Sequence, residues 1–146
     1  MNAPLPRPTE ITPETALELI GLGLATMIDV RQPYELVYGG CLRCAENIPL
    51  LHFKQTLGHA LTEDEQEILD ADEPDARDIM AFMGAINRHH FQHDMIVLCL
   101  CRSGKRSQHA VQLLRSINYN RCFSIAGGLQ AMMNICPEAV ESQVPA

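Results

Sequence analysis

The chain has 146 residues, of which 47% are hydrophobic and 20% are charged, a composition typical of one globular domain with its own core. No stretch approaches the roughly 18 consecutive apolar residues of a membrane-spanning helix, and no basic stripe indicates nucleic-acid binding. The first ten residues lack the apolar segment of a secretory signal. We therefore expect a cytoplasmic protein without membrane or nucleic-acid partners, whose six cysteines are reactive, metal-bound or buried rather than paired in disulfides.

The formal net charge of −7 is unevenly distributed. Nine of the 18 acidic residues lie between Glu63 and Asp78, where Arg77 is the only basic residue. We expect this acidity to belong to that segment alone and to say little about a site near Cys101.

The first third of the sequence predicts short alternating elements. Residues 1–9 contain three prolines and predict an extended N-terminal arm. Thr12 is suited to an N-cap and Pro13 to the first helical position, and the helix should stop near Gly21. A strand at 25–30, one or two helical turns at 33–38 and a second strand at 45–50 are expected to follow.

Residues 51–92 predict a helical, acidic insertion. Thr62 and Glu65 have the spacing of a capping box. Apolar residues recur at helical spacing between residues 78 and 88, which favours packing against the core. These residues are Ile79, Phe82, Met83 and Ile86.

The last third contains the most apolar run of the chain, residues 95–100, which predicts a strand buried on both faces. A helix around 110–117, a strand at 121–125 and a short helix at 129–135 are expected next, with a C-terminal tail at 135–146. Strands that alternate with helices favour a single α/β domain over residues 1–146, with a mainly parallel sheet.

The segment Cys101-Arg-Ser-Gly-Lys-Arg-Ser107 directly follows the apolar strand. Ligands bind at the carboxyl ends of parallel strands, and the next helix would direct its N-terminal amides toward the cysteine. Amides and nearby positive charge favour a nucleophilic thiolate. Gly104 permits a tight curl in which the amides converge on an anion. The simpler alternative is a strand-end cysteine beside a solvated helix start.

This loop resembles the active-site loop of the rhodanese family of sulfurtransferases. The segment MIDVRQPYE (27–35) is similar to the family's strand and DVR motif. GCLRCAENIPL (40–50) resembles its GHIPGAxNIP stretch, and IAGGLQAM (125–132) resembles its terminal GG turn and helix. Together these segments cover residues 10–50 and 93–134.

The resemblance implies a rhodanese-like fold with a five-stranded, mainly parallel sheet flanked by helices. It implies that Cys101 takes sulfane sulfur from a donor such as thiosulfate, forms a persulfide, and passes the sulfur to cyanide, a thiol or a partner protein. No cofactor is implied. The anion-binding loop would comprise Arg102, Ser103, Gly104, Lys105, Arg106 and Ser107. Arg106 would close the loop and hold the anion, Arg102 and Lys105 would attract the donor, and Asp29 and Arg31 would support fold and loop.

The sequence departs from the family pattern at three places: Cys41 and Cys44 replace a histidine and a glycine, and Met132 replaces the terminal tryptophan. Cys41 and Cys44 form a C-x-x-C pair that could be half a zinc site or a redox pair, and Cys41 could approach Cys101 if their strands are neighbours. We expect no metal, because the histidines of HHFQH (89–93) supply no matching second half.

Two further residues lie near the loop in sequence. Cys99 shares a strand face with Cys101 and is expected to be a buried hydrophobe, with resolution of the persulfide as the sharper alternative. His109 is one helical turn from Lys105 and is expected to be a surface residue. Three functions therefore stay open: a sulfurtransferase, a binding or sulfur-relay module of the same fold, and a cysteine-based phosphatase or arsenate reductase.

Overall fold

The computed structural model describes residues 8–52 and 61–141, and its centre is a parallel β-sheet. In these residues the strands are β1 (Glu10–Ile11), β2 (Ala25–Asp29), β3 (Cys41–Leu42), β4 (Ala45–Asn47), β5 (Ile96–Leu100), β6 (Cys122–Ile125) and β7 (Val140–Glu141).

The helices of the described residues lie mainly between these strands. They are α1 (Pro13–Gly21), α2 (Pro33–Gly39), α3 (Glu63–Ala71), α4 (Ala76–His89), α5 (Lys105–Ser116) and α6 (Gly128–Ile135), and a 3₁₀ turn at Pro137–Ala139 precedes β7. In the described part of the chain, none of them has the length and apolar character needed to cross a membrane.

The main sheet has the strand order β1-β6-β5-β2-β4, and all of its pairings are parallel. This confirms the predicted five-stranded parallel sheet. The most apolar strand, β5, is central, with β2 on one side and β6 on the other. Its carboxyl end therefore lies in the middle of the edge at which parallel sheets bind ligands.

Side chains of β5 alternate between two hydrophobic cores, as a strand buried on both faces requires. Val97, Cys99 and Cys101 face a core that also contains residues of α4 and α5. Leu98 and Leu100 face a second core formed with α1 and α6. The sheet is therefore covered by helices on both faces, with α4 and α5 on the Cys101 side.

The predicted helix starts are confirmed by their caps. The Thr12 hydroxyl accepts a hydrogen bond from the backbone N–H of Thr15 (3.3 Å), and Pro13 occupies the first turn of α1. Thr62 and Glu65 form a complete capping box at α3, in which each side chain accepts from the other residue's backbone N–H.

Three two-residue strands lie where no strand was predicted, because they are too short to show periodicity. β1 pairs with β6 at the edge of the main sheet, and β3 pairs antiparallel with β7 in a separate ribbon. The predicted C-terminal tail therefore contains the 3₁₀ turn and β7 up to Glu141. Residues 1–7 of the predicted N-terminal arm and residues 142–146 lie outside the described residues.

The predicted helical segment at 51–92 contains α3 and α4, and residues 53–60 lie outside the described part. Phe82 and Ile86 of α4 are almost completely buried in the core on the Cys101 side. Met83 packs against that core, whereas Met80 is 75% exposed. Helix α4 is therefore part of the main core rather than a surface attachment.

We predict that Phe82→Ala lowers the free energy of unfolding by about 3–5 kcal/mol, because it leaves a cavity in this core. Met80→Ala on the same helix should change it by less than about 0.5 kcal/mol, because that side chain is mostly in solvent. Chemical denaturation of both variants measures the difference. Equal effects would show that α4 does not contribute to the core.

Candidate active site

Cys101 is the first residue after β5, and it is completely buried. The loop from Cys101 to Gly104 connects the central strand to α5, which begins at Lys105. The site is therefore built on the end of the most buried strand and the start of the next helix, which are rigid supports.

Two backbone N–H groups donate hydrogen bonds to the Cys101 sulfur. The Gly104 nitrogen lies 3.0 Å and the Ser107 nitrogen 3.4 Å from Sγ. The Ser107 hydroxyl oxygen also lies 3.4 Å from Sγ. The two N–H donors and the N-terminus of α5 favour negative charge at the sulfur.

Two glycines allow this geometry. Gly104 has a φ of 104°, in the left-handed region, where a side chain would be strained. Gly128, in the predicted GG turn, lies so close to the loop that a Cβ there would be 2.4 Å from the Cys101 carbonyl oxygen. The backbone N–H of Leu129 donates to the same carbonyl (2.8 Å), so the start of α6 is bonded to the loop.

Arg106 is also completely buried, and it joins three helices. Its two terminal nitrogens donate to the two carboxylate oxygens of Glu35 in α2, each at 2.7 Å. One of them also donates to Asp70 in α3, at 2.7 Å. Both terminal nitrogens therefore bind carboxylates, and Arg106 closes the loop by fixing it to α2 and α3. Its expected role in holding an anion stays a prediction.

The charges of this cluster support each other's ionisation. Burial alone would lower the pKa of the Arg106 guanidinium, but hydrogen bonding and charge from Glu35, with the charge of Asp70, raise the pKa well above its usual value. Burial alone would raise the pKa of Glu35, but Arg106 outweighs burial and holds that pKa below its ordinary value of 4.5.

The acidic segment contributes directly to this cluster. Asp70 contacts Arg106 and also forms an ion pair with Arg102 (3.4 Å), and Gln66 of the same helix donates to Glu35 (3.0 Å). The acidity of this segment was expected to say little about the site near Cys101, and the contacts of Asp70 correct that expectation. One face of α3 holds the loop's arginines, while Glu63, Asp64 and Glu67 are exposed.

Asp29 and Arg31 form a buried, bidentate ion pair beneath the segment that follows β2. Arg31 donates to both Asp29 oxygens, at 2.7 to 3.2 Å, and to the carbonyl oxygen of Gly40 at 2.8 Å. Asn47 adds hydrogen bonds to the carbonyls of Asp29 and Arg31. These contacts hold the backbone around the end of β2, and the supporting role that the resemblance implies for Asp29 and Arg31 stays a prediction.

The remaining loop residues lie nearer the surface. Ser103 is half-buried, Lys105 is exposed, and Arg102 retains 31% of its side-chain exposure. Arg102 borders a cavity of about 270 Å³ whose walls come from α2, α6 and the region of α3. Its lining also includes Arg31, Tyr34, Glu35, Tyr38, Gly39, Leu61, Gln66, Leu129, Gln130 and Met133.

All six cysteines are free. Cys41 lies in β3, which pairs with β7 and is not a neighbour of β5, so the condition for its approach to Cys101 is not met. Cys99 is buried, and burial raises its pKa well above the ordinary value, which suits a core residue. Within residues 8–52 and 61–141, no group of three or more His, Cys, Asp and Glu is arranged to hold a metal ion.

Four residues that bind the loop or its arginine were not singled out from the sequence: Glu35, Gln66, Asp70 and Ser124. Glu35 lies in the DVR segment, and a loop arginine that had to be buried would have required such a partner. Ser124 gave no signal, because a single serine in a short strand is ordinary. Its hydroxyl lies 2.6 Å from that of Ser107.

A family model described as the rhodanese-like domain matches residues 12–134, and the chain belongs to this family. No curated protein matches the chain.

Solved structures share the fold. The human single-domain sulfurtransferase is 24% identical, with a TM-score of 0.57 over 86% of this chain and 96% of its own. The reduced CoADR-RHD of Bacillus anthracis is 19% identical, with a TM-score of 0.60 over 92% of this chain, which spans only 18% of that protein. A thiosulfate sulfurtransferase from Pseudomonas aeruginosa is 13% identical, with a TM-score of 0.61 over 93% of this chain and 20% of its own. At these identities the likeness establishes the rhodanese-like fold.

We predict that Glu35→Gln lowers the free energy of unfolding by about 3 kcal/mol near neutral pH, because a buried guanidinium loses a charged partner. Since the folded state lowers the Glu35 pKa, its contribution is complete above the unfolded value of 4.5 and is lost as the pH falls through the folded value. The difference from the unmodified protein should therefore shrink in acid. Denaturation at several pH values measures it.

The matched control is Glu67→Gln, which removes an exposed carboxylate from the same region and should change stability by less than about 0.5 kcal/mol. If both variants lose the same stability, Arg106 does not depend on Glu35.

Proposed function

We propose that the protein is a sulfurtransferase that carries sulfane sulfur as a persulfide on Cys101. The observation that supports this most is the pair of backbone N–H groups, of Gly104 and Ser107, that donate to the Cys101 sulfur at the start of α5. Membership of the rhodanese-like family supports a sulfur-transfer reaction, and sulfurtransferases occur among the structures that share the fold.

In the first half-reaction, the Cys101 thiolate attacks the outer sulfur of a donor such as thiosulfate. The sulfur–sulfur bond of the donor breaks, and sulfite leaves with its electron pair. The product is a persulfide anion on Cys101. The N–H donors at the loop stabilise the anionic sulfur, and they do so without reorganisation because the loop is held by Arg106.

In the second half-reaction, a nucleophilic acceptor attacks the outer sulfur of the persulfide. Cyanide gives thiocyanate, and a thiol or a partner protein's thiolate gives a new persulfide. The Cys101 thiolate is the leaving group, and the same donors stabilise it. This is covalent catalysis in two steps, and it needs no cofactor. The cavity beside Arg102 has room for a small organic thiol. We also propose that the reaction takes place in the cytoplasm.

We predict that incubation with thiosulfate adds one sulfur atom to the protein and that cyanide removes it. Cys101→Ser should abolish the addition, since the nucleophile is gone. Intact mass measurement before and after each reagent, with peptide mapping, tests this.

Cys44→Ser is the matched control, because Cys44 is exposed and free and lies outside the loop. It should retain the sulfur addition. Mapping of the added sulfur to Cys41, Cys44 or Cys99, with Cys101 unmodified, would overturn the assignment.

Loop size favours sulfur over phosphoryl transfer. Four residues separate Cys101 from Arg106, whereas the related phosphatases and arsenate reductases place five residues before their arginine. In this loop Gly104 already donates to Sγ at 3.0 Å, so the amides close on a single sulfur rather than on a tetrahedral oxyanion.

We predict ready transfer of sulfur from thiosulfate to cyanide and negligible hydrolysis of aryl phosphates. One glycine inserted between Gly104 and Lys105 should suppress sulfur transfer at least tenfold, because displaced donors lose transition-state stabilisation. Thiocyanate formation and phenolate release measure the two activities. Faster hydrolysis of aryl phosphates through Cys101 than sulfur transfer, in the unmodified protein, would favour a phosphatase.

A further inference from the structure

A buried serine of the neighbouring strand lies behind the reactive cysteine. Ser124 in β6 is completely buried, and the register of the sheet places it opposite Cys99 of β5. In residues 8–52 and 61–141, its hydroxyl has one hydrogen-bonding partner, the hydroxyl of Ser107, at 2.6 Å. A buried hydroxyl in the middle of a sheet costs free energy unless it is hydrogen-bonded. Ser124 therefore depends on its hydrogen bond with Ser107.

The Ser107 hydroxyl is the junction of this arrangement. Its oxygen lies 3.4 Å from Cys101 Sγ, 3.1 Å from the Gly104 carbonyl oxygen and 2.6 Å from Ser124 Oγ. A hydroxyl has one proton to donate and two lone pairs to accept with. Ser107 can therefore donate to only one of these three neighbours at a time.

Either hydroxyl could be the donor in the hydrogen bond between Ser107 and Ser124, so the direction is inferred from the partners of each. Ser124 can satisfy its own donor only by donating to Ser107, because that is its one partner among the described residues. Ser107 then keeps its proton for the Gly104 carbonyl or for the sulfur. With a neutral thiol, the S–H donates to Ser107, and Ser107 donates to the carbonyl. When the thiol proton has gone to the buffer, Ser107 turns its own proton to the thiolate.

We propose that Ser124 is a positioning residue, which orients and polarises the Ser107 hydroxyl so that Ser107 donates to the Cys101 thiolate. When Ser124 donates to Ser107, Ser107 cannot donate its own proton to Ser124. Donation from Ser124 also makes Ser107 a stronger donor, because consecutive hydrogen bonds polarise one another. Neither serine in this series of hydrogen bonds gives up its proton to its neighbour. Only the thiol loses one, and it goes to solvent.

We call the hydrogen bonds that run from Ser124 through Ser107 to Cys101 the relay, although no proton moves along it. Under the proposed function, this relay acts twice. It stabilises Cys101 as the attacking thiolate in the first half-reaction and as the leaving thiolate in the second. It does not contact the donor or the acceptor. Removing it should therefore lower kcat and leave KM for thiosulfate nearly unchanged.

The first test does not depend on sulfur transfer. The ionisation of Cys101 is followed by the ultraviolet absorbance of its thiolate against pH, with each variant measured against the same variant carrying Cys101→Ser. Ser124→Val should lower the ionisation constant of Cys101 roughly threefold to tenfold, because one charge-assisted hydrogen bond is weakened. Ser124→Thr has nearly the same volume but keeps the hydroxyl, and it should retain the ionisation of the unmodified protein.

A double-mutant cycle tests whether Ser124 acts through Ser107. In a Ser107→Ala background, Ser124→Val should have no further effect on the ionisation of Cys101, because the junction is already absent. Cys122→Ala, which removes a small buried side chain from the same strand without touching the loop, controls for a loosened β6 and should leave the ionisation unchanged.

The proposal is overturned if Ser124→Val ionises like Ser124→Thr, or if Ser124→Val has its full effect in the Ser107→Ala background. Thermal unfolding of each variant confirms that folded protein is compared, and Ser124→Ala replaces Ser124→Val if the larger side chain prevents folding. Failure of the relay leaves sulfur addition from thiosulfate intact. Failure of the proposed function, in contrast, leaves the shifted ionisation but no added sulfur.

Discussion

The site depends on the ion pairs that the buried guanidinium of Arg106 forms with Glu35 and Asp70. Arg106 belongs to the first turn of α5, and its carboxylate partners come from α2 and α3, which are distant in the sequence. An unpartnered buried charge is costly, so these three helices must come together for the loop to adopt its shape. The loop in turn sets the direction of the amides around Cys101. A contact that never touches the sulfur thereby determines what surrounds it.

This arrangement separates support from chemistry. The arginines nearest the sheet end are already bound to carboxylates: Arg31 to Asp29, Arg106 to Glu35 and Asp70, and Arg102 to Asp70. Their positive charges are therefore largely balanced by neighbours. The groups that face the sulfur are backbone N–H groups and a hydroxyl, which are partial charges fixed in place. Such groups stabilise a developing anion without the desolvation cost of a buried cation.

The sequence predicts the strands, the helix starts and the Cys101 loop better than it predicts the residues that hold the loop in place. The apolar run of β5, the caps at Thr12 and Thr62, and the loop around Cys101 all carry local signals, and the structure has each of them. The contacts of Asp70 could not be predicted, because an acidic helix is usually solvated and one buried face cannot be recognised from composition. Ser124 and the two-residue strands carry no local signal at all, because their roles arise only when β6 lies beside β5. Features that depend on neighbouring residues can be predicted from the sequence, whereas contacts between residues of different elements depend on the fold.

The loop also has to discriminate between anions of similar charge. Net charge cannot discriminate between them, since sulfane donors, phosphates and arsenates are all anionic and would all be attracted by the exposed Lys105. Geometry can do so, because an amide 3.0 Å from Sγ leaves little space between the loop and the sulfur. The loop keeps that distance because Gly104 adopts a left-handed conformation and Gly128 admits α6 within contact of the Cys101 carbonyl. A Cβ at Gly128 would clash with the carbonyls of Cys101 and Arg102, whereas a side chain at Gly104 would strain the backbone. The geometry of the loop therefore depends on the absence of two Cβ atoms as much as on any charged group.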